Sequence, residues 1–210
     1  MKKNIEIFVE KIKSAKSIVI AGHKNPDGDS VCSALALARL IELNFGVKPL
    51  CVYDGNFPDM LDNVPNRGAM HYFGNVKNVG HFDLAILVDY GTVVNIGGVM
   101  PMINSAEYVV EIDHHKNEEP VSDLCLNDTD AAATGEIIFK IAHDLKWVCD
   151  SIINDLIALS ILTDTGFFKY ARRGVPLCIM AQLVDDGVNI EQLSNLLNNK
   201  PRKAVLTEAA

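Results

Sequence analysis

Ser17-Ile-Val-Ile-Ala-Gly22 is a short β-rich run, and His23-Lys24-Asn25-Pro26-Asp27-Gly28-Asp29-Ser30 follows it directly. The first stretch reads as a buried strand. The second is a polar loop, after which residues 30–44 are rich in Ala and Leu and read as a helix stopped by Gly46. Working outward, residues 48–53 form a second β-rich run, Asp83-Leu-Ala-Ile-Leu-Val-Asp89 a third and Glu107-Tyr-Val-Val-Glu-Ile-Asp113 a fourth. Upstream, residues 3–15 place Ile5, Phe8, Val9 and Ile12 on one helical stripe. Downstream of residue 133 the pattern turns helical: one helix follows Thr134, another begins at Asp150, and two more cover 176–186 and 190–198 around Gly187. Strands separated by helices or long crossovers require parallel pairing. The expected fold is α/β: a mostly parallel sheet with helices on both faces, followed by a helical C-terminal segment.

Composition agrees. Of 210 residues, 49% are hydrophobic and 22% charged, which excludes disordered, collagen-like and coiled-coil compositions. The net charge of −8 argues against broad capture of nucleic acid, which needs a basic face, and leaves room for an acidic pocket neutralised by cations. Five cysteines, Cys32, Cys51, Cys125, Cys149 and Cys178, are scattered without a C-x-x-C pair. That pattern excludes a zinc ribbon or disulfide framework and reads mostly as small apolar core residues in a reducing compartment. With neither a signal peptide nor a run of about 20 apolar residues, the expected location is cytoplasmic, with no membrane partner.

In an open α/β sheet, ligands gather at the carboxyl ends of the strands, near a topological switch point. Here those ends repeatedly carry acid and imidazole groups. The first strand is followed by His23, Asp27 and Asp29 in an H-x-x-x-D-x-D arrangement; the third ends in Asp89 and the fourth in Asp113-His114-His115. The helix from Asp150 ends in Thr163-Asp164-Thr165-Gly166. Taken singly, each has an ordinary explanation: Asp89 as a turn former, Asp29-Ser30 as a helix cap, the adjacent histidines as a surface pair. Together they form an oxygen and imidazole ligand set without thiolates, suited to Mn²⁺, Mg²⁺ or Fe²⁺. Carboxylates converging on one crevice repel one another unless cations lie between them. Two divalent ions about 3.5–4 Å apart relieve that repulsion and activate a hydroxide for hydrolysis at phosphorus, with Asp89 the best placed bridge.

These four motifs, with Ala132-Ala-Thr-Gly-Glu136, resemble the DHH phosphoesterases, and among them the DHH/DHHA1 branch of oligoribonucleases and pAp phosphatases. The resemblance spans residues 23 to 168. It implies one Mn²⁺ held by His23, Asp27 and Asp89 and a second held by Asp29, Asp89, His114 and Asp164. It also implies catalytic roles for His115, facing the substrate, and for Asp113, supporting the histidines. Asn25, Arg172 and Arg173 are candidate substrate contacts, the arginines as bidentate phosphate donors.

The function expected is therefore a manganese-dependent phosphoesterase acting on short oligoribonucleotides or pAp through a two-metal-activated hydroxide. Two rivals stay open. A family II-type inorganic pyrophosphatase shares the motifs but more often reads D-T-D where this chain has Asp27-Gly28-Asp29. A non-catalytic nucleotide-binding regulatory domain should have lost a ligand, and all six positions are filled. A dinucleotide-binding Rossmann module lacks support, because His23 rather than a G-x-G-x-x-G run follows Gly22. Residues 1–200 are read as the DHH domain, and a helix opening at Pro201 as the start of a linker. The resemblance implies a DHHA1 domain beyond it, whose glycine-rich G-G-G-H segment does not occur here; a homodimer stays open.

Overall fold

The computed structural model describes residues 2–76, 80–117 and 119–198. The expected linker helix from Pro201 lies outside the described residues. Helix α1 (Lys2–Ser14) leads into strand β1 (Ile18–Ala21), the polar loop, and helix α2 (Gly28–Phe45). Strands β2 (Leu50–Tyr53), β3 (Met70–Tyr72), β4 (Leu84–Val88), β5 (Val109–Ile112) and β6 (Leu124–Cys125) follow, with the short helix α3 (Met100–Asn104) between β4 and β5. Helices α4 (Thr134–Asp144), α5 (Ser151–Asp164), α6 (Val175–Asp185) and α7 (Ile190–Asn198) complete the described chain. Among the described residues, no helix is long and apolar enough to cross a membrane.

The sheet has six strands in the order β3-β2-β1-β4-β5-β6, and every pairing is parallel. The sequence order leaves β1 towards β2 and later returns to its other side as β4, so the switch point lies between β1 and β4. The expectation of four strands falls short by β3 and β6. These have three and two residues, too short to leave a hydrophobic pattern.

Both faces of the sheet are covered, but unequally. Ile18 and Ile20 of β1, with Leu84, Ile86 and Val88 of β4, join the larger core beneath α1, α2, α4, α5 and α6. The alternate residues, Val19, Ala21, Ala85 and Leu87, face a thinner layer made by the 3₁₀ turn at Val93–Val99 and by α3. The strict alternation of partners follows from the two-residue period of a strand. β1 and β4 are buried along their whole length, which is why they read as continuous apolar runs.

Helix α2 starts under Asp27, whose side chain accepts from the Ser30 N–H, and ends at Gly46 with φ 73°. The helix cap is thus Asp27, not the Asp29-Ser30 pair; Asp29 sits inside the first turn and is fully buried. Helix α5 is capped by Asp150, which accepts from the Ile153 N–H and also from Arg39 Nε at 2.9 Å. The two helices approach closely where α2 begins and α5 ends: a Cβ added to Gly28 would stand 2.4–2.6 Å from the Thr163 side chain. The α1 stripe holds for Ile5, Phe8 and Ile12, while Val9 is only half-buried. The reading of most cysteines as core residues is corrected. Cys32 and Cys51 are buried, Cys125 is half-buried, and Cys149 and Cys178 are exposed.

Candidate metal centre

Four segments deliver their polar side chains to the carboxyl ends of β1, β4 and β5. The loop after β1 brings His23 and Asp27, and the first turn of α2 brings Asp29. Asp89 follows β4 directly, with φ 49°. Such a left-handed conformation is uncommon outside glycine and is found where local structure over-determines it. Asp113, His114 and His115 follow β5, and Asp164 is the last residue of α5.

The six expected metal ligands come together in two groups that meet at Asp89. In the first, His23 Nε2 lies 3.5 Å from Asp27 Oδ1 and 3.8 Å from Asp89 Oδ2. Its other ring nitrogen, Nδ1, is 3.0 Å from the Lys24 carbonyl. A proton held there leaves the Nε2 lone pair facing the carboxylates, as a ligating imidazole requires. In the second group, His114 Nε2 lies 3.4 Å from Asp89 Oδ1, 3.7 Å from Asp29 Oδ2 and 3.7 Å from Asp164 Oδ2. Asp89 Oδ1 and His114 Nε2 are both buried, and neither has a hydrogen-bond partner. Two facing polar atoms left unsatisfied in a buried site are costly unless something fills the space between them. A divalent cation does so with this donor set, so the residues fit the metal that the motif implies.

Asp29 is held by four donors. Its Oδ1 accepts from Ser33 Oγ at 2.8 Å, Ser160 Oγ at 2.5 Å and the Gly135 N–H at 3.3 Å, and its Oδ2 accepts from the Thr134 N–H at 2.7 Å. The N-terminus of α4 therefore points at this carboxylate, where a negative charge is favoured. Gly135 is required by the same contact, since a Cβ there would stand 2.1 Å from Ser160 Oγ. Sequence reasoning missed Ser33 and Ser160. One signal was present: Ser160 interrupts the apolar run of α5, four residues before Asp164 and so on the same helix face.

Asp113 is shaped to support His115. Its Oδ1 accepts from the His115 N–H at 2.9 Å and lies 2.8 Å from His115 Nδ1, while Oδ2 accepts from the Tyr90 and Gly91 N–H groups at 2.9 and 2.8 Å. Below it, Tyr90 donates its hydroxyl to Glu111, which also accepts from Asn127 at 2.7 Å. Glu111 was a second legible signal, a charged residue inside a strand buried on both faces.

The electrostatics match the geometry. Burial, then the carboxylates of Asp29 and Asp27, holds Asp89 well above the usual carboxylate range. Burial also raises Asp29, and burial followed by the nearby Asp29 raises Asp164 to about 6. Burial opposes a charge on His23, but the Asp27 hydrogen bond, the Lys24 carbonyl and the charges of Asp27 and Asp89 outweigh it and raise the ring to about 9. The hydrogen bond to Asp113 raises His115. Burial and neighbouring like charges raise these carboxylates, and carboxylates raise the imidazoles beside them.

Of the three candidate substrate contacts, Arg172 and Arg173 line a cleft beside the cluster, together with His115 and Asp164. Arg173 is engaged, with Nη1 3.1 Å from Asp130 Oδ2. Asn25 is not brought to either cleft bordering the cluster. Its Oδ1 accepts from the Asn56 N–H at 2.9 Å and ties down the loop after β2.

Fold and site together define an α/β protein with a carboxylate–imidazole centre at its switch point, arranged for divalent cations. The family model described as the DHH family, N-terminal domain, matches residues 17–161, and the chain belongs to the DHH family. It is 29% identical over 210 residues to a Streptococcus mutans protein named probable bifunctional oligoribonuclease and PAP phosphatase NrnA, covering 96% of this chain and 63% of that one. It is also 29% identical over 198 residues to a manganese-dependent inorganic pyrophosphatase of Methanothrix thermoacetophila, covering 90% of this chain and 57% of that one. The chain thus spans about 60% of the length of these relatives. An exopolyphosphatase-related protein from Bacteroides fragilis shares the fold, with a TM-score of 0.90 and 19% identity over 99% of this chain and 63% of its own.

Proposed function

We propose that the chain is the catalytic domain of a manganese-dependent phosphoesterase that hydrolyses short oligoribonucleotides or pAp. The observation that carries this reading is the pair of unsatisfied buried atoms, Asp89 Oδ1 and His114 Nε2, at the junction of two ligand groups. His23, Asp27 and Asp89 would hold one ion, and Asp29, Asp89, His114 and Asp164 the other. When bound, two such ions neutralise the carboxylates, polarise phosphoryl oxygens and lower the pKa of water. Mg²⁺ or Fe²⁺ would suit the same donors.

The chain's own residues supply the rest. Ser33, Ser160 and the start of α4 fix Asp29, so its orientation is settled before any ligand arrives. His115 presents a half-exposed ring to the cleft, with Asp113 on its Nδ1. That partner favours the protonated ring, which leaves Nε2 able to give a proton to the departing oxygen. Asp113 meanwhile draws the Tyr90 and Gly91 N–H groups inward and so braces the backbone that follows Asp89.

The pyrophosphatase reading has support from the relatives bearing that name. One observation weighs against it: Gly28 is pressed against Thr163, so the D-T-D pattern does not fit here unless α5 gives way. The regulatory-domain reading is disfavoured by the complete ligand set. Cytoplasmic location, a DHHA1 domain in the full-length protein and self-association belong to the same proposal. The test is to assay pAp, a ribodinucleotide and pyrophosphate with the same chain in Mn²⁺ and in EDTA. Metal-dependent turnover of the nucleotides ahead of pyrophosphate supports the proposal, and faster turnover of pyrophosphate rejects it.

A further inference from the structure

Two clefts border the cluster, and they meet at His115 and Asp164. The first is walled by Gly91, Thr92, Asn95 and Lys116; the ring of Tyr90 at its floor is buried and offers no face. The second has a volume of about 610 Å³ and runs past residues 129–132 to Tyr170 and Arg172. The two clefts therefore offer different chemistry to whatever flanks a phosphate at the cluster.

Tyr170 is 65% exposed, and Lys169 Nζ lies 5.1 Å from its ring centroid, a cation that a nucleobase would displace or share. The ring is nevertheless held in place. The chain leaves α5 through Gly166, Phe167 and Phe168 with φ of 55°, 56° and 67°, so three successive residues take the left-handed conformation. Two of them are phenylalanines, for which that conformation is costly and persists where the surroundings enforce it. The turn closes when the Tyr170 N–H donates to the Thr165 carbonyl at 2.9 Å, and Gly166 lies against the ring, where a Cβ would stand 2.9 Å from it. This backbone turn carries Tyr170 to the cleft wall, and Gly166 leaves room for its ring there.

The neighbouring arginines differ. Arg173 is paired with Asp130. Arg172 is exposed, lines the same cleft, and has no hydrogen bond or ion pair with any described residue. An exposed aromatic face stacks on a nucleobase. An unpaired guanidinium binds phosphate through its fork of donors.

We infer that Tyr170 and Arg172 form a nucleotide subsite beside the metal centre. The ring takes the face of a nucleobase, and the guanidinium takes a phosphate other than the one at the cluster. The inference rests on the phosphoesterase reading and deepens it: the preferred substrate carries at least one base and two separated phosphate positions, as pAp and 5′-phosphorylated dinucleotides do, and pyrophosphate does not.

Calorimetric titration of the Mn²⁺-loaded 210-residue chain with a hydrolysis-resistant phosphonate analogue standing for pAp, with AMP and with inorganic phosphate tests this without depending on turnover. Tyr170→Ala should weaken pAp and AMP by about ten- to a hundredfold, and Tyr170→Phe should restore them. Inorganic phosphate, which has no base, should separate the two variants little. Arg172→Ala should weaken pAp more than AMP, because AMP has no second phosphate to lose. Unchanged pAp affinity in Tyr170→Ala, an equal loss for inorganic phosphate, or no pAp binding by the unsubstituted chain would each overturn the inference. Failure of the parent reading looks different: the binding pattern would hold while the unsubstituted chain hydrolysed no nucleotide.

Discussion

Asp89 carries three burdens at once. It is shared by two groups of acid and imidazole side chains close enough to hold a metal ion, it is buried among other carboxylates, and its backbone sits at φ 49°. Asparagine keeps the shape and tolerates the left-handed conformation, but removes the charge. Asp89→Asn should therefore abolish tight Mn²⁺ binding and lower hydrolysis by at least about a thousandfold. In EDTA the same variant should melt a few degrees higher than the parent chain, because one buried like charge is gone. Isothermal titration and thermal unfolding read the two effects separately; a lower melting temperature would contradict the repulsion argument. At His115 the expected signature is kinetic. His115→Gln should reduce kcat by about 10²–10⁴-fold while metal affinity holds, as the proposed role of the ring as proton donor requires. Asp113→Asn should move the alkaline limb of the pH–rate profile to lower pH, because the hydrogen bond that raises His115 is weakened.

Among the elements, the meeting of α2 with α5 decides whether the site can form. Gly28→Ala places a methyl 2.4–2.6 Å from Thr163 side-chain atoms. That overpacking should cost about 1–3 kcal/mol, seen as a fall in the denaturant midpoint at unchanged m-value. The segment between β6 and α4 is clamped by Asp128, which accepts from Lys140 Nζ at 3.1 Å and from the Asp130 N–H. Burial opposes its ionisation, but these partners hold its carboxyl below the usual value. A depressed pKa contributes stability above the unfolded value and loses it as pH falls through the folded one. Asp128→Asn should accordingly lower the melting temperature slightly at pH 7, and the gap should close below the ordinary carboxylate value of about 3.9. At this scale the sequence was most readable where burial was two-sided. β1, β4 and β5 were visible because every residue of Ile18–Ala21 and Leu84–Val88 is buried, leaving unbroken apolar runs. β3 and β6 were not, because edge strands of three and two residues carry no pattern. The proposed metal ligands, which the fold brings together, were legible as chemistry at strand ends. Their supports were not, because Ser33 and Ser160 look like neutral helix residues until the fold brings them within 3.4 Å of each other and onto Asp29.

For the whole molecule, bound Mn²⁺ should act as a stabiliser. Any ligand that binds only the folded state adds RT ln(1 + [L]/Kd), about 2.7 kcal/mol at a hundredfold excess over Kd. Mn²⁺ should raise the melting temperature by several degrees, EDTA should reverse it, and Ca²⁺, a larger ion, should do less. Absence of any Mn²⁺-dependent shift would contradict the metal-site assignment.

The parallel sheet gives the two ligand groups different histories. His23, Asp27 and Asp89 need β1 to pair with its neighbour β4 and α2 to begin, because Asp27 caps that helix. The group around His114 also needs α5 docked against α2, since Asp164 is the last residue of that helix and Asp29 lies in the first turn of the other. With the proposed ligand sets, a chain whose helical layer has loosened would keep one ion and release its companion. The number of ions retained becomes a gauge of how far assembly has gone, with the second reporting on the final layer alone.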